Sequence, residues 1–331
     1  MFGTYLKFIF LIIIFSNQIF AKDFDDLFSV KIKIEGESID KSIDKSFESL
    51  VFRLLGSKDY EKMKIIKGKY DSKDFLKTYT LITKEDIKLL HASFDEVTLI
   101  KQFVDNDISF IGRNRPIVFL DIEIDNGFGK PFKVESIPYE NSLQSSIQEV
   151  FNGISQERGI FFEFPQDSIN FVQSDYFFEE QISNDFKQYK FDYFATINII
   201  RLDINSWSIS YDDKVLFFDG LEKIIEYIES VFYEKASLYL SDFILDSLEE
   251  EIVMRVSEIN STEKLDNLLD VLDKMISIKS YGIASYEDNE ISLILKIFGT
   301  QDQFIQTVKT HKDLVLEKSR EGLIETSLIK I

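Results

Sequence analysis

Two arginines flank an asparagine in the run Gly112-Arg113-Asn114-Arg115, immediately before Pro116. Guanidinium groups are rigid forks of N–H donors that match the oxygens of carboxylates and phosphates. Beside a turn, Arg113, Asn114 and Arg115 therefore form a candidate ligand-binding set for an anionic small molecule or glycan, in a cleft between two neighbouring units. No glycine-rich loop opening a helix accompanies them, so the competing reading is that both arginines bridge adjacent elements by salt bridges. The remaining chemistry is sparse. The two histidines, His91 and His311, lie far apart, and neither has a ligand at helical spacing, so no metal site is expected. Cysteine is absent, which removes disulfides, thiolate nucleophiles and Cys-metal sites together. There is no Walker loop, nucleophile elbow or dinucleotide fingerprint, and no cofactor is expected.

Acids are plentiful. Asp23, Asp25 and Asp26 cluster, Glu249-Glu250-Glu251 form a run, Asp212-Asp213 mark a turn, and Asp121, Glu123 and Asp125 alternate along one segment. Paired carboxylates perform acid–base work when burial separates their pKa values, which leaves a carboxylate-dependent hydrolase as a further alternative. In a chain with 58 acidic residues, most such runs are solvated faces, and no catalytic residue is assigned. Trp207, the single tryptophan, reads as a core aromatic.

These residues need elements to hold them. Pro116 biases Arg115 toward an extended conformation and suits the start of a strand. Gly112 suits a turn with positive φ. Ile117 to Ile124 is β-branched or apolar at first and acidic later, a strand buried on both faces at its start and half-exposed at its end. Before this strand, a strand over 28–35 precedes a helix carrying Ile43, Phe47, Leu50, Val51 and Leu54, capped by Asp40 or Ser42. A short helix at 60–66, strands at 75–82 and 87–94, and a helix with Val97, Ile100, Phe103 and Val104 inward complete a first unit.

The second unit adds a helix capped by Asn141 or Ser142 and ending near Gly153, then a strand at 159–164. A helix near 177–189, a strand at 191–202, and a continuation of the sheet over 206–218 follow. Its clearest amphipathic helix carries Ile224, Ile228 and Phe232. In the third, a strand at 252–256 is followed by a helix, strands at 276–283 and 290–298 joined at Asp288-Asn289, a helix at 301–311 and a last strand at 314–316. That β-α-β-β-α-β order is ferredoxin-like. The fold class is therefore α+β or α/β, with three consecutive small mixed-sheet units over 22–112, 113–246 and 247–331.

Residues 1–21 read as a signal peptide. Phe8 to Phe15 is too short to span a bilayer of about 20 residues, and Ile19-Phe20-Ala21 offers cleavage after Ala21. The alternative is an uncleaved anchor, and no other apolar run reaches membrane length. A net charge of −20 over 331 residues, with no basic stripe, argues against nucleic acid. A cysteine-free exported chain suits a periplasm.

Four stretches carry a family resemblance: Val51 to Gly56 (VFRLLG), Gly112 to Leu120 (GRNRPIVFL), Tyr189 to Trp207, and Ile252 to Gly299. In order and spacing the chain resembles the exported bacterial proteins known as DUF2066, over nearly the whole mature length. It departs from their pattern in its low alanine content and in aromatics at Phe191 and Tyr193. The resemblance implies export and carries no reaction. The expectation is a periplasmic, non-enzymatic factor that contacts protein partners in envelope assembly or maintenance, with the Arg113–Arg115 ligand site as the alternative.

Overall fold

The computed structural model describes residues 22–57, 59–84, 87–136, 142–166, 190–246, 249–311 and 313–328. The leader, the Asn141 cap and the helix expected near 177–189 lie outside them. The strand after Pro116 forms as expected: Ile117–Asp125 (β7) is buried on both faces through Leu120, then alternates. It is the spine of a six-stranded sheet. Tyr193–Arg201 (β10) pairs with it in parallel, and Ser206–Tyr211 (β11) and Lys214–Asp219 (β12) continue outward. On its other side lie Phe132–Lys133 (β8) and Phe161–Glu163 (β9). The stretch 206–218 is thus a hairpin rather than one strand. Asp212 and Asp213 both take positive φ, the geometry of a tight turn whose twist matches the strands. Val118, Leu120, Ile122, Ile197, Ile199, Trp207 and Ile209 share one core with the helices over the sheet.

In the first unit, Ser29–Lys33 (β2), Leu76–Lys84 (β3) and Ile87–Phe94 (β4) form a sheet in the order β2-β4-β3. Helix Ile39–Leu55 (α1) supplies Phe47, Leu50, Val51 and Leu54 to its core. Ser38, not Asp40 or Ser42, caps α1: its hydroxyl accepts from the Lys41 amide, while Asp40 sits in the first turn. A second helix, Tyr60–Lys69 (α2), follows. The third, Glu96–Asp105 (α3), buries Leu99, Ile100 and Phe103, but Val97 is 77% exposed. Helical spacing places Leu99 on the inward face and turns Val97 away from it.

Helix Ser142–Arg158 (α4) runs past Gly153, which has open space around it, and stops at Gly159, whose φ of +64° is the left-handed conformation that ends helices. Helix Leu221–Ser241 (α5) packs beside α4. The short strands Lys22–Asp23 (β1) and Asn114–Arg115 (β6) pair, as do Phe110–Ile111 (β5) and Ile244–Leu245 (β13), and so stitch the units together.

The third unit has Glu249–Ser257 (β14), helix Thr262–Lys274 (α6), Ile278–Glu287 (β15), Glu290–Phe298 (β16), helix Gln301–Thr310 (α7) and Leu314–Arg320 (β17). This is the expected βαββαβ order. One strand more, Leu323–Leu328 (β18), enters the sheet between β17 and β14, parallel to β14, giving β15-β16-β14-β18-β17. The fold is a mixed α+β architecture of several small mixed sheets with seven helices among the described residues.

Candidate functional site

Arg115 is 0% exposed, deep between the first and second units. Its guanidinium donates to five backbone carbonyls: Gly112 at 2.7 Å, Ile111 at 3.0 Å, Arg53 at 3.1 Å, Arg158 at 3.4 Å and Gly159 at 3.5 Å. Two further arginines are buried beside it. Arg53 donates to Leu27 and Ser29 carbonyls at 3.0 Å each and to that of Gln156. Arg158 donates to carbonyls of Tyr233 at 2.8 Å and Gly56 at 2.6 Å and to Ser237 Oγ at 2.8 Å. Among the described residues, no carboxylate forms a salt bridge with any of the three.

The partners explain how this is possible. Arg53, Gly56, Gln156, Arg158 and Gly159 stand at the C-terminal ends of α1 and α4, where carbonyls lack helical partners and the helix dipole is negative. Gly56 and Gly159 both take positive φ, and a Cβ on Gly159 would lie 3.0 Å from Arg53 Cγ. Burial pushes the Arg53 guanidinium down to about 10, and holds Arg115 well below the ordinary arginine range, helped by the neighbouring cations Arg53 and Arg158. Arg158 is lowered by burial as well. The expectation of a ligand cleft between units one and two at Arg115 is therefore corrected. The space is filled, and the arginine's donors are spent on the backbone.

Arg113 and Asn114 face the other way, onto a cleft of about 740 Å³ where all three units meet. Its walls are α3, the Gly112–Asn114 connector, the chain around Phe243 and Leu245, the link from α6 into β15, and α7. Gly112 does not take positive φ. Its role is close approach, because a Cβ there would lie 3.2 Å from Leu245 and 3.4 Å from Ile276. Arg113 is not a free anion hook: it pairs with Glu96 and donates to the Asp25 carbonyl at 2.9 Å. This is the bridging role that competed with the anion site. Asn114 Oδ1 accepts from Thr310 Oγ1 at 3.2 Å.

The cleft floor is apolar, with Phe243, Leu245, Val271, Met275 and Phe298 buried. Two of its lining residues carry a buried polar atom that has no partner and is closed to solvent, Ser277 Oγ and Gln306 Oε1. Ser277 is 3% exposed. A buried hydroxyl or amide oxygen without a hydrogen bond costs about 1–3 kcal/mol, and natural folds keep few of them. Two other unpartnered buried atoms, Arg53 Nε and Arg158 Nε, belong to side chains whose remaining nitrogens are bonded.

The other groups singled out in the sequence are scattered. Asp23 and Asp25 line the cleft. Glu249 pairs with Lys279, Asp212 with Lys235, and Asp121 with Lys133 at 2.6 Å. His91 sits in β4 opposite Lys31 and Thr80, while His311 caps α7 and accepts from the Asp313 amide at 3.3 Å. Among the described residues, no group of three or more His, Asp or Glu is arranged to hold a metal, and no helix is long and apolar enough to cross a membrane. Arg53, Arg158, Ser277 and Gln306 went unrecognised as site residues in the sequence. A cation inside the apolar run Leu50 to Leu55 was the available signal for Arg53; Ser277 and Gln306 carry none. No protein-family model matches the chain, and no curated protein matches it in sequence.

Proposed function

We propose that this is an exported, non-enzymatic binding protein that holds a small molecule in the cleft between α3, the Gly112–Asn114 connector and the third unit. Export rests on the leader read in residues 1–21. The observation that carries the binding reading is the cleft itself, open volume above an apolar floor of Phe243, Leu245, Met275 and Phe298. A cleft of about 740 Å³ lies within the ~300–1,000 Å³ range of small-molecule sites, which combine apolar walls with a few placed polar groups. Thermal-shift screening with small apolar alcohols, amines and acids tests it, alongside Ile276→Trp, which fills the cleft from a half-buried position. Compounds should raise the melting temperature of the native chain and not of the filled variant. An absence of any shift, or equal shifts in both proteins, sinks the site.

A second reading keeps the protein-partner role, supported by the outer edge of the central sheet. Ile200, Ser208 and Phe217 lie in one row across β10, β11 and β12, and on the edge strand β12 Val215 and Phe217 are 55% and 71% exposed. Unpaired, apolar edges are where another chain adds. Photo-crosslinking in cells from position 217 should trap discrete adducts that position 238, exposed on α5, does not. The same adducts from both positions would dismiss this surface.

A further inference from the structure

Resting on the second reading above, in which the outer edge of the central sheet is an interaction surface, we propose that its partner is a second copy of this chain. The two β12 strands pair antiparallel about a two-fold axis. The first argument is what this edge lacks. A free sheet edge invites foreign strands, and folds blunt it with bulges, charges, proline or brevity. Among the described residues, the other edges of the three larger sheets carry such devices. The ladders of β3, β15 and β17 with their neighbours are each broken by a register shift. Strands β2, β8 and β9 are short. In contrast, β12 pairs with β11 along its whole length without a break. Between its terminal Lys214 and Asp219 it exposes Val215, Leu216 and Phe217.

The second argument is which backbone groups remain. Tyr211 and Lys214 stand opposite each other at the Asp212-Asp213 turn, and the Gly220 amide donates to the Asn205 carbonyl at 2.7 Å. In an antiparallel ladder every second residue bonds to a given neighbour. Lys214, Leu216 and Phe218 therefore bond to β11, while Val215, Phe217 and Asp219 turn their amides and carbonyls outward. A two-fold axis through such a pair places one residue opposite its own counterpart. Centred on Phe217, it engages every outward residue: Phe217 meets Phe217, and Val215 meets Asp219 on either side, exchanging roughly six hydrogen bonds. Any other centre leaves at least one of the three without a partner in the strand. Leu216 then faces Phe218 on the helix-covered side.

Charge favours the same register. Continued past the strand, it brings Asp213 of one copy alongside Leu221 of the other, in the first turn of α5. That helix starts at Gly220, which offers no side chain to cap it. An acid beside the positive end of a helix is stabilising.

Sedimentation equilibrium of the full chain tests this. The native protein should form a dimer that tightens as salt is raised, because two chains of net charge −20 repel less when screened. Phe217→Pro deletes an outward amide that β11 does not use, and should leave a monomer whose circular dichroism is native. Val215→Glu keeps the backbone intact and should weaken the dimer about tenfold, by setting two like-charge pairs against Asp219. Adding Asp219→Lys to Val215→Glu should restore it, since the two positions lie four residues apart in one strand and meet only across the axis. A native chain that stays monomeric at every salt concentration overturns the second copy as partner. If photo-crosslinks from position 217 then still trap adducts of other masses, the edge surface stands with a foreign strand on it; if they trap none, the surface falls too. A dimer that survives both Phe217→Pro and Val215→Glu uses another face and overturns the proposal. A double variant no tighter than Val215→Glu alone overturns the register.

Discussion

Against the second unit, the first presents the end of α1 to Arg115 and Arg158, while its own Arg53 reaches the Gln156 carbonyl of α4. Against the third, it presents α3 across an open cleft with an apolar floor. Both places bury polar atoms, but one is closed and the other borders open volume. At the junction, the arginine donors are matched by carbonyls and a hydroxyl except at Arg53 Nε and Arg158 Nε, so polarity acts as a fastener. At the cleft, the floor is apolar and the volume above it is open. Polar burial alone does not identify a site; open volume over an apolar floor is what sets the cleft apart.

Substitutions separate the two behaviours. The largest effect belongs to Arg115→Met. It removes the charge but orphans carbonyls at the ends of both α1 and α4, and should cost about 3 kcal/mol or more in urea unfolding, with Arg115→Lys recovering little because an ammonium lacks the planar fork. A loss under about 1 kcal/mol would break the fastener description. Gly159→Ala comes next. Its φ of +64° is strained for alanine and its Cβ meets Arg53, so roughly 1–3 kcal/mol should be lost.

The pH dependence is smaller and of opposite sign in the two regions. The folded value of Arg53 lies near 10, below its unfolded one, so its contribution grows as pH rises above about 10. Tyr281, whose phenol donates to Asp273 on the cleft rim, is raised to about 12 by burial and that bond. Its contribution is full below about 10, the unfolded value, and is lost as pH climbs to about 12. Tyr281→Phe should remove one late phenolate transition from an ultraviolet titration and lessen the alkaline loss of stability. An unchanged titration would place that phenol outside the group held protonated. The smallest effect is Ser277→Ala: with no hydrogen bond to lose, stability should hold or rise by up to about 1 kcal/mol. A clear destabilisation would mean that the hydroxyl is bonded after all.

Much of the fold was legible because it is written locally. The alternation after Pro116, the Asp288-Asn289 turn and the inward faces of α1 and α5 all follow from periodicity and turn chemistry. The misses share a different cause. Val97 sits one step off the helical stripe, and Gly153 is a helix interior tolerated because solvent surrounds it. Arg115 was legible as chemistry but not as to its partners, since carbonyls at 53 and 158 are brought to it only by packing. The cleft was illegible altogether. Its floor is assembled from residues near 112, 245, 275 and 306, and emptiness has no sequence pattern.

Strand β18 comes after every other described strand in sequence yet lies inside its sheet, with β14 on one flank and β17 on the other. Five residues of β14 must wait for partners supplied some seventy positions later. Such distant pairing makes assembly slow, because the intervening loop has to be gathered first. Until residues 323–328 have emerged during synthesis, one side of β14 is an open ladder exposed to wrong neighbours. A nascent chain stalled before that point would thus be the form of this protein most in need of a chaperone.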